Sequence, residues 1–200
     1  MIRTLAWALS LVLLAGLPSA AHAHLVNSGL GPFYNGALHL LLSPGDLLAV
    51  LAVSLLAGQS GKAGARWAAI VLPLVWGAAA LAGLGLGTAI EAGWLGVALL
   101  VLLGVLVAVG VRLPVWAMTC LSALAGLVHG LENGSAFAAA GSDGIAVAGT
   151  VATVLTLTLL IAALAVSLRS AWTRMALRVG GSWIAAVGML MLGWLLQGAS

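Results

Sequence analysis

Charged side chains are nearly missing from this chain. Its 200 residues include four acids and seven Lys/Arg, 6% in all, against 64% hydrophobic residues and a mean hydropathy of +1.25. That is too little charge to cover a water-soluble domain of this length, so the sequence is that of a polytopic membrane protein. The seven cations come in ones and twos, with no basic run and no interleaved aromatic platform. The formal charge of +3 and the pI of about 10.0 therefore do not point to nucleic acid as a partner. The single cysteine, Cys120, excludes an internal disulfide and a cysteine-built zinc site, and reads as a small apolar helix residue. No G-x-x-x-x-G-K-[ST] loop is present, so this polypeptide does not use ATP. No nucleophile stands beside its histidine–carboxylate pair in sequence, and no enzymatic activity is expected. No soluble domain, long linker or internal repeat interrupts the apolar segments.

Residues 1–23 read as a secretory signal peptide. Arg3 supplies the charged start, Leu5 to Leu17 a short apolar core, and Ala21-His22-Ala23 fits the A-x-A cleavage pattern. Cleavage after Ala23 makes His24 the new N-terminus; cleavage after Ala21 makes it His22. The competing reading is an uncleaved first helix, which at about 13 apolar residues is short for a span.

Residues 24–200 then form one integral membrane domain. Turn signals at Asn27-Ser28-Gly29 and Gly31-Pro32 precede Phe33 to Leu42, a short interfacial or re-entrant helix carrying His39. Ser43 as N-cap and Pro44 in the first turn open a new helix. Six spans are expected, at about 44–59, 66–87, 92–111, 114–133, 144–168 and 177–197. Their lengths suit a hydrocarbon core of ~30 Å, the first being the shortest. The fold class is all-α, a bundle of six transmembrane helices. With the mature N-terminus outside, the loops at 60–65, 111–113 and 169–176 face the cytoplasm. They hold or adjoin Lys62, Arg66, Arg112, Arg169, Arg174 and Arg178, every Lys/Arg after the leader. Glu91 and Asp143 fall in the opposite loops. The positive-inside rule is met throughout, placing the chain in a bacterial inner membrane with both mature termini extracytoplasmic. Trp67, Trp94, Trp116, Trp172 and Trp194 fall near span ends, as interface anchors do. Thr150, Thr153 and Thr156 form a stripe that either bonds back to helix carbonyls or lines a pore.

The stretch richest in chemistry is Gly126-Leu127-Val128-His129-Gly130-Leu131-Glu132-Asn133-Gly134. His129, Glu132 and Asn133, at i, i+3 and i+4, share one helix face; the three glycines, four apart, line a neighbouring face that admits a second helix closely. Ionisable groups inside a membrane mark function by default. This topology gathers His24, His39, Asp46, His129 and Glu132 on the extracytoplasmic side. Imidazole with carboxylate suits a divalent transition metal, whereas calcium or magnesium would want more oxygens. His129 and Glu132 can reach one ion, as Glu-x-x-His pairs do in helix bundles. A break at Pro44 would bring His39 and Asp46 to a polar cavity of the kind broken membrane helices line. His24 as a free N-terminus would add a chelating amine and imidazole. Structural readings stand beside these. His129 can simply hydrogen-bond a neighbour, Glu132 and Asn133 can cap the helix end, and Asp46 can serve the dipole of the helix that Pro44 opens. A shared site requires the His129 and Asp46 side chains to lie within about 6 Å of each other, and side chains facing opposite sides of the bundle would exclude it.

Two segments resemble the HupE/UreJ family of hydrogenase and urease accessory membrane proteins. The run from His39 to Val53, His39-Leu40-Leu41-Leu42-Ser43-Pro44-Gly45-Asp46 followed by Leu47-Leu48-Ala49-Val50-Leu51-Ala52-Val53, is similar to the family's H-P-x-S-G-x-D-H and L-L-A-x-L-A-V. His39 matches the first histidine, Gly45 stands at the aspartate, and Asp46 at the second histidine. His129-Gly130-Leu131-Glu132 resembles the end of H-G-x-x-H-G-x-E, whose earlier histidine is Ala125 here. The resemblance implies a divergent, more carboxylate-rich member. It also implies nickel or cobalt as the handled ion, with zinc, copper and iron left open, and transport or supply of that ion to metalloenzyme maturation proteins as the role. A permease with a site of His39, Asp46, His129 and Glu132, and His24 as an outer ligand, is the leading expectation; a non-transporting metal-binding accessory protein is the alternative.

Overall fold

A computed structural model describes residues 29–86, 93–168 and 170–198. The expected leader at 1–23, with His22, and His24 and Glu91 as well, lie outside the described residues. Among those described, the architecture is all-helical, with no strand: α1 (Pro32–Leu42), α2 (Pro44–Gln59), α3 (Lys62–Leu86), α4 (Gly93–Val109), α5 (Val115–Ala139), α6 (Gly144–Ser167) and α7 (Ala171–Gly198).

Four helices, α3, α5, α6 and α7, are long and apolar enough to cross a membrane, and α1 with α2 makes a fifth candidate as a pair bent by 76°. Six separate spans were expected. The difference comes from the two short helices. α2 has 16 residues and depends on α1 to complete a crossing, and α4 has 17. The bend has a local cause. Ser43, preceding a proline, is held extended (φ −91°, ψ 100°), so α1 stops and α2 starts afresh with Pro44 at its first position. Ser43 caps α2 by place only, its hydroxyl making no cap bond. α1 packs against α6. Its Gly36 sits against the backbone of Ala146 in α6, and Thr150 Oγ1 donates to Gly36 O at 2.9 Å.

α3 and α5 form the closest pair. A Cβ on Gly126 would come within 2.9 Å of Leu72 O, one on Gly130 within 2.5 Å of Trp76 O, and one on Gly134 would strike Ala80 O. The glycine face read from the sequence is thus where two backbones touch, as small residues allow in membranes. α4 pairs with α7 in the same way through Gly104 and Gly181. The core is apolar, including Leu40, Val53, Leu56, Trp76, Leu103 and Phe137. Leu74, Leu160 and Leu190 are more than 60% exposed, as lipid-facing side chains are in a helix bundle without its bilayer. All five anchor tryptophans are exposed, whereas Trp76 is wholly buried.

Several predicted boundaries move, α3 starting at Lys62 and the largest shifts falling in α5 and α7. α5 runs to Ala139, so Glu132 and Asn133 lie inside a helix and cap nothing. Asn133-Gly134 reads as a stop, but Asn133 is held by side-chain bonds and Gly134 is required by the α3 contact, so the helix continues. α7 begins at Ala171, which puts Arg174 and Arg178 in its first turns. The threonines of α6 bond back: Thr153 to Gly149 O (3.0 Å), Thr156 to Ala152 O (2.8 Å) and Thr150 to Ala146 O (3.2 Å) as well as to α1. All three hydroxyls thus bond back to carbonyls of their own helix. Asp143 caps α6, accepting from Ile145 N at 3.0 Å.

A buried histidine–carboxylate pair on an interhelical cavity

The break at Pro44 places Asp46 in the first turn of α2, and the α3–α5 contact fixes the rotation of α5 that turns His129 toward it. His129 Nδ1 lies 2.8 Å from Asp46 Oδ1, both residues being buried. An ionised carboxylate can only accept, so beside ionised Asp46 it is Nδ1 that donates. The second carboxylate oxygen, Oδ2, accepts from Asn133 Nδ2 at 2.8 Å, and the same amide nitrogen donates to His129 O at 2.9 Å. Asp46 therefore has both oxygens engaged, and its two partners come from one face of α5. Trp76 of α3 lies parallel to the imidazole, with ring centroids 5.5 Å apart and planes 16° apart.

This arrangement determines which atoms are left over. In a neutral ring bonded this way, His129 Nε2 carries the lone pair. Nε2 is buried and has no protein partner; nor have Glu132 Oε1, Asn133 Oδ1 and Trp76 Nε1. Buried polar atoms without partners are uncommon in folded proteins and call for an explanation. Here His129, Glu132 and Asp46 line a cavity of about 490 Å³ whose other walls are largely apolar, from α4 and α7. Gly96 of α4 faces the pair: a Cβ there would sit 3.4 Å from both Glu132 Oε2 and His129 Cε1.

Chemically, the site offers an imidazole nitrogen without a protein partner and a half-buried carboxylate on one helix, with the far side of the imidazole held by a second carboxylate. Histidines that bind metals use that arrangement, donating the far N–H to a carboxylate that orients the ring. His39 comes from α1. It is buried, packed against Phe137 (centroids 5.1 Å apart), and is not among the residues lining the cavity. Among the described residues, no group of three or more His, Cys, Asp or Glu is disposed to hold a metal ion.

The closeness of His129 and Asp46 expected from the sequence is met, at 2.8 Å. Asn133 was on the right face but not in the expected site; its i+4 spacing from His129 was the available signal. Trp76 and Gly96 carried none, because only the packing of α3 and α4 on α5 gives them a place here.

The family assignment comes from sequence comparison: residues 11–191 match HupE / UreJ protein. The chain belongs to the HupE/UreJ family. The match spans both motifs and all seven helices except the end of α7. As a HupE/UreJ member it places its paired residues on α2 and α5, with Asp46 where the family pattern has histidine. No curated protein and no solved structure matches the chain.

Proposed function

We propose that the protein is a transition-metal permease of the inner membrane, with nickel or cobalt as its cargo. His129 Nε2 and the Glu132 carboxylate are the ligands, and Asp46 orients His129 rather than binding the ion. The observation that carries this reading is the buried His129–Asp46 pair, whose outward nitrogen has no partner, on a cavity that Glu132 also lines. Two donors and retained water give a site that holds an ion without trapping it, as conduction requires. In this reading the bent pair α1–α2, α3, α4, α5, α6 and α7 make six crossings behind a cleaved leader, with both mature termini outside. His24 adds an outer ligand if it becomes the N-terminus. A divalent ion moving inward down ~100 mV gains about 4.6 kcal/mol, which drives accumulation without ATP.

A specific feature favours the second reading, a metal-binding accessory protein that does not transport. The cavity at the other end of α2 is lined by Lys62, Arg112, Arg174 and Arg178, with no acid among the described residues that line it, and repels a cation leaving inward. Accumulation of nickel, cobalt, zinc, copper and iron by cells expressing wild type or His129→Ala separates the two. Selective uptake lost in the variant supports the permease. Metal bound to purified protein without uptake supports the accessory reading.

A further inference from the structure

We propose that the cationic cavity binds the phosphate headgroup of an anionic phospholipid. Its lining gathers cations that are far apart in sequence: Lys62 from the start of α3, Arg112 from the α4–α5 loop, and Arg174 and Arg178 from α7. No Asp or Glu is among the described residues that line its roughly 640 Å³. Basic pockets between membrane helices on the cytoplasmic side recognise anionic headgroups, and the positive-inside rule puts this end of the bundle there.

The site is built rather than a chance meeting of loose side chains. Leu113 N donates to Ser60 Oγ at 3.1 Å, and Gln59 Nε2 to Val107 O at 3.3 Å, tying the α2–α3 turn to α4 and its following loop. Arg178 Nε donates to Ala108 O at 2.8 Å. Its stem passes over Gly110, where φ is +76° and a Cβ would lie 3.4 Å from Arg178 Cδ, so glycine serves both the turn and the arginine. Gln59 Oε1 is buried without a protein partner on the same cavity and can accept from a headgroup hydroxyl.

The surroundings fit a lipid better than a soluble anion. Arg174 and Arg178 also line a second groove of about 470 Å³ that runs on along Met175 and Val179. These two are 57% and 51% exposed, and Val105 and Val109 of α4 are exposed too. An acyl chain can follow this apolar surface while the phosphate stays among the cations. A bound phosphodiester would also offset the positive charge at the inward end of the protein.

The test is native mass spectrometry and thermal unfolding of the full chain purified in detergent, with phosphatidylglycerol, cardiolipin or phosphatidylcholine added. The anionic lipids are expected to remain bound and to raise Tm, and phosphatidylcholine to do neither. Arg174→Gln with Arg178→Gln should weaken anionic lipid binding roughly thirtyfold, each basic side chain near an anionic phosphate being worth about fivefold. Lys62→Gln with Arg112→Gln should do the same and serves if the first pair misfolds. Arg66→Gln removes a cation from the same end of α3 without touching the cavity, and should leave binding intact. Equal loss with Arg66→Gln, or equal retention of phosphatidylcholine, would overturn the proposal. So would stabilisation by inorganic phosphate alone with no further effect of lipid, which would identify a soluble-anion site.

Discussion

Replacing Asp46 with Asn keeps the shape of the side chain and removes its charge, which isolates what the carboxylate does. In the wild type its two oxygens accept from His129 Nδ1 and Asn133 Nδ2. An amide has one oxygen, so one of those donors must face an NH2 group. If Asn133 keeps the oxygen, the NH2 faces His129, Nδ1 becomes the acceptor and the imidazole proton moves to Nε2, which can then no longer bind a metal. If His129 keeps it, Asn133 Nδ2 loses its partner on α2. Loss of one buried bond costs about 1–3 kcal/mol of stability. Loss of the orienting carboxylate costs about 10–100-fold in metal affinity, or about 1.4–2.8 kcal/mol. The assay is equilibrium nickel and cobalt binding to purified wild type, Asp46→Asn, His129→Ala and the double variant. Because Asp46 acts through His129, Asp46→Asn should add almost nothing in the His129→Ala background, giving a coupling energy close to its whole single effect. Additive losses would mean that Asp46 binds the ion itself. Unchanged affinity in Asp46→Asn would remove it from the site.

Three further outcomes are expected. Gly134→Ala drives a methyl into the α3 backbone at Ala80 and should cost at least about 1–3 kcal/mol, whereas Gly85→Ala, with open space around it, should stay within about 1 kcal/mol; Tm in detergent measures both. Gly96→Leu should abolish metal binding by filling the space beside Glu132 and His129 while far-UV circular dichroism stays helical. Thr150→Val removes the hydroxyl bond from α6 to α1 and should cost about 0.6 kcal/mol, read from chemical unfolding, with uptake unchanged because the buried hydroxyl is already engaged by helix carbonyls.

Local chemistry made much of this legible in the sequence. Apolar length and the segregation of cations marked the membrane helices. The Ser43-Pro44 step marked the break, because a residue before proline avoids the helical region. Four-residue glycine spacing marked the α3–α5 contact. Depth and partnership were harder. Asn133-Gly134 has the composition of a helix end, yet the bond to Asp46 and the touch of Ala80 carry α5 six residues past Asn133. Asp46 and His129 are 83 residues apart. Their shared side of the membrane followed from topology, but not that the carboxylate would spend both oxygens on α5. The motif gave His39 equal rank with Asp46, and seven residues of continuous helix would have put both on one face; the 76° bend turns His39 toward Phe137 instead. Trp76 counted only as one of eight tryptophans until α3 closed against His129.

The most direct measurement is nickel and cobalt influx into liposomes containing the purified protein, under an inside-negative potential. Wild type should carry ions inward with time, and His129→Ala and Glu132→Gln should not, although both remain folded. Binding to wild type with no influx under any potential would contradict the permease account and leave a membrane-held metal-binding protein. Influx undiminished in both variants would show that the ion does not pass through this cavity.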